Sequence, residues 1–296
     1  MDAKYLKGIL EMVLTTFIWG SVSLFAIWSK LPSPVFVFYR VLVASIFLAL
    51  MIIIEGGIAS LIIKENVKVV LISGVFLTLN WIFFFYAVLL TTVANATLLY
   101  YTGPVIAIVL TPVIAKEKQP KWVIAPIVMA MAGILLILSE GLSAGDPLGL
   151  FFGLLAGFSY GVLAAIGKLA SSRNRPEIIV FYQCLVSIFI LTPFLFVTDY
   201  SMEWITPVIL LTVGVVHTAL ALRLWYDALR NIPMSLASIL SYLDPVFAVF
   251  LAWVFLGQIP ALNTILGGGL IVSAGILTTL LYNMSGRWWL ESEALI

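Results

Sequence analysis

The sequence predicts an all-α polytopic membrane protein: ten transmembrane helices arranged as two inverted five-helix repeats. Three observations carry that prediction. Of 296 residues, 63% are hydrophobic and only 10% are charged, whereas about a quarter of a soluble domain is charged. The apolar residues fall into ten runs, each close to the ~20 residues that cross a bilayer as a helix. The chain also repeats itself at an offset near 140, about half its length.

The ten runs are Leu6–Trp28, Pro34–Ile54, Val67–Leu89, Val93–Ala115, Trp122–Ser139, Leu148–Leu169, Glu177–Val197, Thr206–Tyr226, Met234–Leu256 and Leu262–Asn283. Loops between them are short, and no soluble domain fits there. The first run is too long for a signal peptide and no small-residue cleavage site follows it, so it reads as the first span. The single cysteine, Cys184, can form no internal disulfide. A net charge of +1 points to no nucleic-acid partner.

The repeat is plainest between Gly74–Pro120 and Gly214–Pro260. At an offset of 140, Gly74, Val75, Thr78 and Tyr86 fall on Gly214, Val215, Thr218 and Tyr226. A one-residue slip to 141 then aligns Ala87, Ala96, Tyr101, Pro104 and Val105 with Ala228, Ala237, Tyr242, Pro245 and Val246. Gly8 and Gly20 meet Gly149 and Gly161 at the same 141. The division this suggests is 1–143 for the first five-helix repeat, 144–284 for the second, and a tail at 285–296. Two halves of this kind are a common build of secondary transporters, whose site lies where the halves meet.

Basic residues set the orientation. The amino terminus and the loops after even-numbered spans carry Lys4, Lys7, Lys64, Lys68, Lys116, Lys118, Lys121, Lys168, Arg173, Arg175, Arg230 and Arg287, against Lys30 alone on the other side. Both termini are therefore expected in the cytoplasm, with the chain in the cell membrane. Five spans per half is an odd number, so the second half starts on the opposite side and the repeat is inverted. Trp288 and Trp289 in the tail are candidates for the membrane interface.

Within the sixth span, Gly149, Gly153, Gly157, Gly161 and Ala165 lie four apart on one face. Small residues let helices approach closely in lipid, so a tight helix crossing is expected; a sliding role is the lesser reading. Pro104 and Pro245 occupy equivalent places in spans four and nine, and a helix-interior proline removes a backbone bond and kinks the helix. Polar and aromatic residues stand just before each: Tyr100, Tyr101 and Thr102 in one, Ser241, Tyr242 and Asp244 in the other. Broken helices at matching positions point to a transport site. A plain kink flanked by interfacial tyrosines fits equally well.

Ionisable residues inside spans are costly and are functional candidates by default. They are Glu11, Arg40, His217, Arg223, Asp227 and Asp244. Glu11 and Asp227 lie near the cytoplasmic ends. Asp227 stands four residues from Arg223, which makes a local pair the expectation for both. Asp244 and His217 lie nearest mid-membrane. Their counterparts are Gly103 and Leu77, so both belong to one half only. The substrate-binding candidates are Trp19, Arg40, Asn80, Tyr100, Tyr101, His217, Tyr242 and Asp244, around a central cavity. An acid and a base there suit a zwitterion, or Asp244 carries a coupling proton, with His217 able to titrate near neutral pH. The bland alternatives are a buried ion pair and a packed histidine. No metal-ligand set and no cofactor are read.

Several of these residues resemble the EamA-type branch of the drug/metabolite transporter superfamily. The resemblance rests on Phe17-Ile18-Trp19-Gly20, on Phe38-Tyr39-Arg40, on the Pro104 and Pro245 helices, and on Lys116-Glu117-Lys118-Gln119-Pro120, which is similar to the family's short acidic turn. Gly257-Gln258-Ile259-Pro260 departs from it, with Gln258 where Glu is usual. The resemblance spans nearly the whole chain. It implies ten helices, cytoplasmic termini, a central substrate cavity and alternating access.

The reading is a secondary transporter of small organic solutes, foremost an exporter of amino acids or related metabolites. An importer and a multidrug or organic-cation exporter are the alternatives. Partners are a small-molecule substrate, the bilayer and a coupling proton as a candidate. An enzyme is not expected, since no H-E-x-x-H and no Ser/His pair at useful spacing is present. A channel would want charge rings or a repeated filter, and neither is visible.

Overall fold

The computed structural model describes residues 3–63, 65–142 and 146–284. Lys64, Arg287, Trp288, Trp289 and the tail lie outside these. Among the described residues, ten helices have the length and apolarity to cross a membrane. They are α1 Ala3–Ser29, α2 Ser33–Gly56, α3 Val67–Leu90, α4 Val93–Ile114, α5 Lys121–Leu138, α6 Pro147–Ser171, α7 Pro176–Val197, α8 Thr206–Asn231, α9 Met234–Leu256 and α10 Leu262–Met284. Their edges fall within a few residues of the apolar runs, and short turns join them.

Starts and stops follow local chemistry. Pro34, Pro147 and Pro176 stand in the first turns of α2, α6 and α7, where a missing N–H costs nothing. The Asp146 carboxylate caps α6, accepting from Leu148 N at 2.7 Å. Large apolar side chains remain exposed around the outside, such as Leu50, Phe189 and Leu280. They are the lipid-facing surface, because van der Waals packing and not apolar burial drives association in a bilayer.

The packing obeys the repeat. α6 lies on α3 and α4, and its counterpart α1 lies on α8 and α9. α2 pairs with α7, and α5 with α10, across the symmetry axis. The close approaches match atom for atom. A Cβ on Gly161 would strike the Gly103 carbonyl and Ile106, and one on Gly20 would strike the Asp244 carbonyl and Phe247. Each strike is the other shifted by 141 residues. The small face of α6 is therefore a tight crossing.

Three helices are irregular. α4 breaks at Tyr101–Thr102, between Val93–Tyr100 and Gly103–Ile114. α9 breaks at Tyr242, between Met234–Ser241 and Leu243–Leu256. Both breaks sit just ahead of the matching prolines, which can neither donate to nor pack on the preceding turn. α8 carries a π-helical stretch, Val213–Leu220, which leaves bonds of irregular register at mid-depth.

One end of the bundle gathers the amino-terminal residues and the loops after even-numbered helices; it is called the basic end below. Ion pairs cross it: Lys7–Asp227 at 2.5 Å, Arg175–Glu55 at 2.8 Å, Arg173–Glu65 at 3.5 Å and Arg223–Glu177 at 3.8 Å. The expected Arg223–Asp227 pair does not form. Arg223 faces α7 while Asp227 faces α1, and better-placed partners on those helices take each of them. At the opposite end, Lys30 meets Glu203 at 2.8 Å and the Tyr39 and Tyr200 hydroxyls meet at 2.9 Å.

Candidate functional site

The two broken helices face each other at mid-depth and are tied there. The Tyr242 hydroxyl donates to the Tyr101 carbonyl at 2.8 Å, filling an acceptor at the break in α4. A layer of tyrosines spreads from this point. The Tyr101 and Tyr242 rings lie 5.8 Å apart, and Tyr100 stacks nearly parallel on Tyr160 of α6 at 5.1 Å. Tyr242 itself is fully buried, so its role is to join the breaks and not to face a solute.

Above this layer, toward the end opposite the basic one, stand two ionisable groups, Asp244 half-buried and Arg40 buried. Asp244 lies in the first turn of the second α9 segment, with the Tyr101 hydroxyl beside its carboxyl. It is deep in the bundle yet only half-buried, and it makes no ion pair among the described residues. Arg40 of α2 is held by two contacts. Its Nε donates to Thr218 Oγ1 at 2.9 Å, and its guanidinium lies over the Trp81 ring at 4.9 Å. Arg40 is buried, and among the described residues it makes no ion pair. Tyr100 stands within electrostatic range of both Arg40 and Asp244. Arg40 and Asp244 do not bridge each other, so the buried-pair alternative is not realised. What remains is a guanidinium on α2 and a carboxyl on α9 that both lie near Tyr100 without pairing.

The π-stretch of α8 packs beside these groups, against α1 and α2. Its irregular bonding leaves the His217 carbonyl open to Trp19 Nε1, which donates at 3.1 Å. His217 Nε2 lies 2.8 Å from Ser21 Oγ, and the ring packs against Phe25 at 4.7 Å. Its buried Nδ1 reaches only toward the Thr212 carbonyl, short of hydrogen-bonding geometry. His217 is thus enclosed between α1 and α8, and its carbonyl and ring hold α1. Thr218 accepts from Arg40 and donates to the Val213 carbonyl at 3.1 Å. The π-turn therefore positions the arginine.

Asn80 does not join the group. Its amide donates back to the Leu77 carbonyl at 2.9 Å, and the side chain is buried. Trp19 and Tyr100 are half-buried. Trp81, one of the aromatics crowding these helices in the sequence, lies under Arg40. Ser21, Thr218 and Tyr160 join the group and were not among the binding candidates, because hydroxyls and tyrosines are too common in membrane helices to stand out. Among the described residues, no cluster of His, Cys, Asp or Glu could hold a metal ion.

Ten spanning helices among the described residues, in an inverted five-plus-five repeat whose interrupted helices meet at a tyrosine layer, fit a transporter of the drug/metabolite type. The profile of the EamA-like transporter family matches the chain twice, over residues 6–139 and 147–280. The chain belongs to this family of transporters. It is 30% identical over 282 residues to the Bacillus subtilis (strain 168) protein named uncharacterized transporter YxxF, covering 92% of this chain and 89% of that one. It is 27% identical over 277 residues to the pseudopaline exporter CntI of Pseudomonas aeruginosa, covering 91% and 95%. A solved crystal structure superposes with a TM-score of 0.82 at 18% identity, covering 94% of this chain and 98% of that one, and shows the same fold.

Proposed function

We propose that the protein exports amino acids or closely related zwitterionic metabolites from the cytoplasm by alternating access. The observation that carries this reading is that Arg40 and Asp244 both stand near Tyr100 and make no ion pair among the described residues. A carboxylate suits a guanidinium, and an ammonium suits the Asp244 carboxylate. The substrate would balance both charges at once. Aromatic rings of Trp19, Trp81 and Tyr100 would flank its carbon frame. An organic cation fits less well, because Arg40 already occupies the Trp81 face and repels it.

The excess of basic residues at the end carrying the amino terminus supports placing that end in the cytoplasm. Export is supported by the exporter among its relatives. Asp244 is the proposed carrier of a coupling proton, since it makes no ion pair among the described residues.

Counterflow in proteoliposomes tests the reading. Vesicles loaded with mixed amino acids would be offered each labelled amino acid, with wild type and with Asp244→Asn. Accumulation by wild type and not by Asp244→Asn is the expected result. Accumulation of amines or drugs instead would replace the zwitterion reading. Equal, still pH-driven transport by Asp244→Asn would remove the proton role.

A further inference from the structure

A buried ion pair closes the basic end. Glu117, in the turn between α4 and α5, lies 3.0 Å from Lys168 near the end of α6, with side chains only 4% and 7% exposed. The same ammonium donates to two free carbonyls at the end of α8, Leu229 at 2.6 Å and Ile232 at 3.0 Å. The other carboxylate oxygen accepts from the Met234 N–H that opens α9, at 2.8 Å, and from the Gln119 amide at 2.7 Å. One pair thus ties the α4–α5 turn, α6, α8 and α9 together.

Beneath the pair lies a small cleft of about 10 Å³, walled by Tyr160, Ala164, Trp225, Leu229, Met234 and Ser238 among others. Leu229 and Met234 furnish both the wall of the cleft and the backbone groups of the pair. Tyr160, stacked on Tyr100, closes the far side. The cleft lies between the tyrosine layer and the basic end.

The inverted repeat supplies the control. At the offset of 141, Lys168, Glu117, Ile232 and Met234 have counterparts Ile27, Gln258, Thr91 and Val93 at the opposite end. Met234 is fully buried, whereas Val93 is 62% exposed. Lys168 is buried, whereas Ile27 is 61% exposed. α6 packs on α8 at the basic end, but α1 makes no comparable contact with α3 at the other. Identical halves would give two states of equal energy, related by exchange. A charged closure present at one end only makes them unequal.

We propose that Glu117 and Lys168 form a one-sided gate lock that holds the carrier closed at the basic end and sets its resting state open at the other. The lock rests on alternating access and not on the identity of the substrate. It suits a reversible gate. When α6 and α8 part, both charges meet water together, so neither is left buried alone; removing one partner strands the other.

The test reads accessibility. In a Cys184→Ser background, Ser238→Cys reports on the cleft, and Thr97→Cys reports on its counterpart. Protein in lipid nanodiscs would be exposed to a small methanethiosulfonate. With the lock intact, Ser238→Cys reacts slowly and Thr97→Cys quickly. Lys168→Met and Glu117→Gln are each expected to speed the first on the order of tenfold and slow the second. Unchanged rates in monodisperse variants overturn the lock. Should both variants misfold, Ile27→Lys with Gln258→Glu builds the missing pair at the other end of an otherwise intact chain. It is expected to slow Thr97→Cys and speed Ser238→Cys, and no change again overturns the proposal. Labelling needs no transport, so the expected pattern with no amino-acid counterflow would reject the substrate reading alone.

Discussion

At the scale of single residues, what matters is which charges lack a partner. Arg40 and Asp244 were legible in the sequence because an ionisable group in an apolar run is costly enough to demand a reason. Their faces were not legible. Depth follows from position along a span, but the direction of a side chain depends on which neighbours pack around it. Asn80 and Tyr242 sit at the right depth and point elsewhere, one to its own helix and one to the Tyr101 carbonyl. The arginine gives the sharper test. Lysine keeps the charge of Arg40 but loses the Nε bond to Thr218 and the flat contact with Trp81. Arg40→Lys is expected to raise the KM for counterflow on the order of tenfold, or ~1.4 kcal/mol, with unchanged monodispersity. An unchanged KM would show that the terminal nitrogens do not meet the solute.

Elements show a second division. The prolines marked where α4 and α9 break, because proline acts on its own helix. No residue marked the π-stretch of α8, which arises from the way Thr218, Arg40 and Trp19 draw on its backbone and side chains. Tyr242→Phe removes the hydroxyl that bonds the Tyr101 carbonyl across the two breaks. It is expected to lower stability by about 1 kcal/mol, read as an earlier thermal transition, while leaving Arg40 and Asp244 in place. The glycine crossings give a symmetric prediction. Gly20→Val and Gly161→Val force a side chain into equivalent carbonyls, and each is expected to cost about 1–3 kcal/mol or prevent folding. Gly269→Ala meets open space and is expected to be neutral. Matched losses in monodisperse yield at the first two positions, with none at the third, would verify the crossings in the membrane.

For the whole molecule, the count of spans and the duplication could be read directly, since both follow from hydrophobicity and spacing. The state of the molecule could not. Its halves share their packing positions, and the two ends differ where buried Met234 and Lys168 correspond to exposed Val93 and Ile27. That comparison also specifies the state not seen. Exchange of the two halves' conformations would bring the end of α1 onto the α3–α4 turn, as α6 now lies on the α8–α9 turn. Ile27 would then approach Thr91 as Lys168 now approaches Ile232. With Cys184→Ser, Ile27→Cys plus Thr91→Cys is expected to cross-link poorly at rest and efficiently in the Lys168→Met background. Cross-linked protein should lose counterflow, and a reductant should restore it, because the bond fixes one end shut. Efficient cross-linking in the unperturbed chain would mean that the end opposite the basic one already closes at rest, and that the unequal halves do not set the resting state.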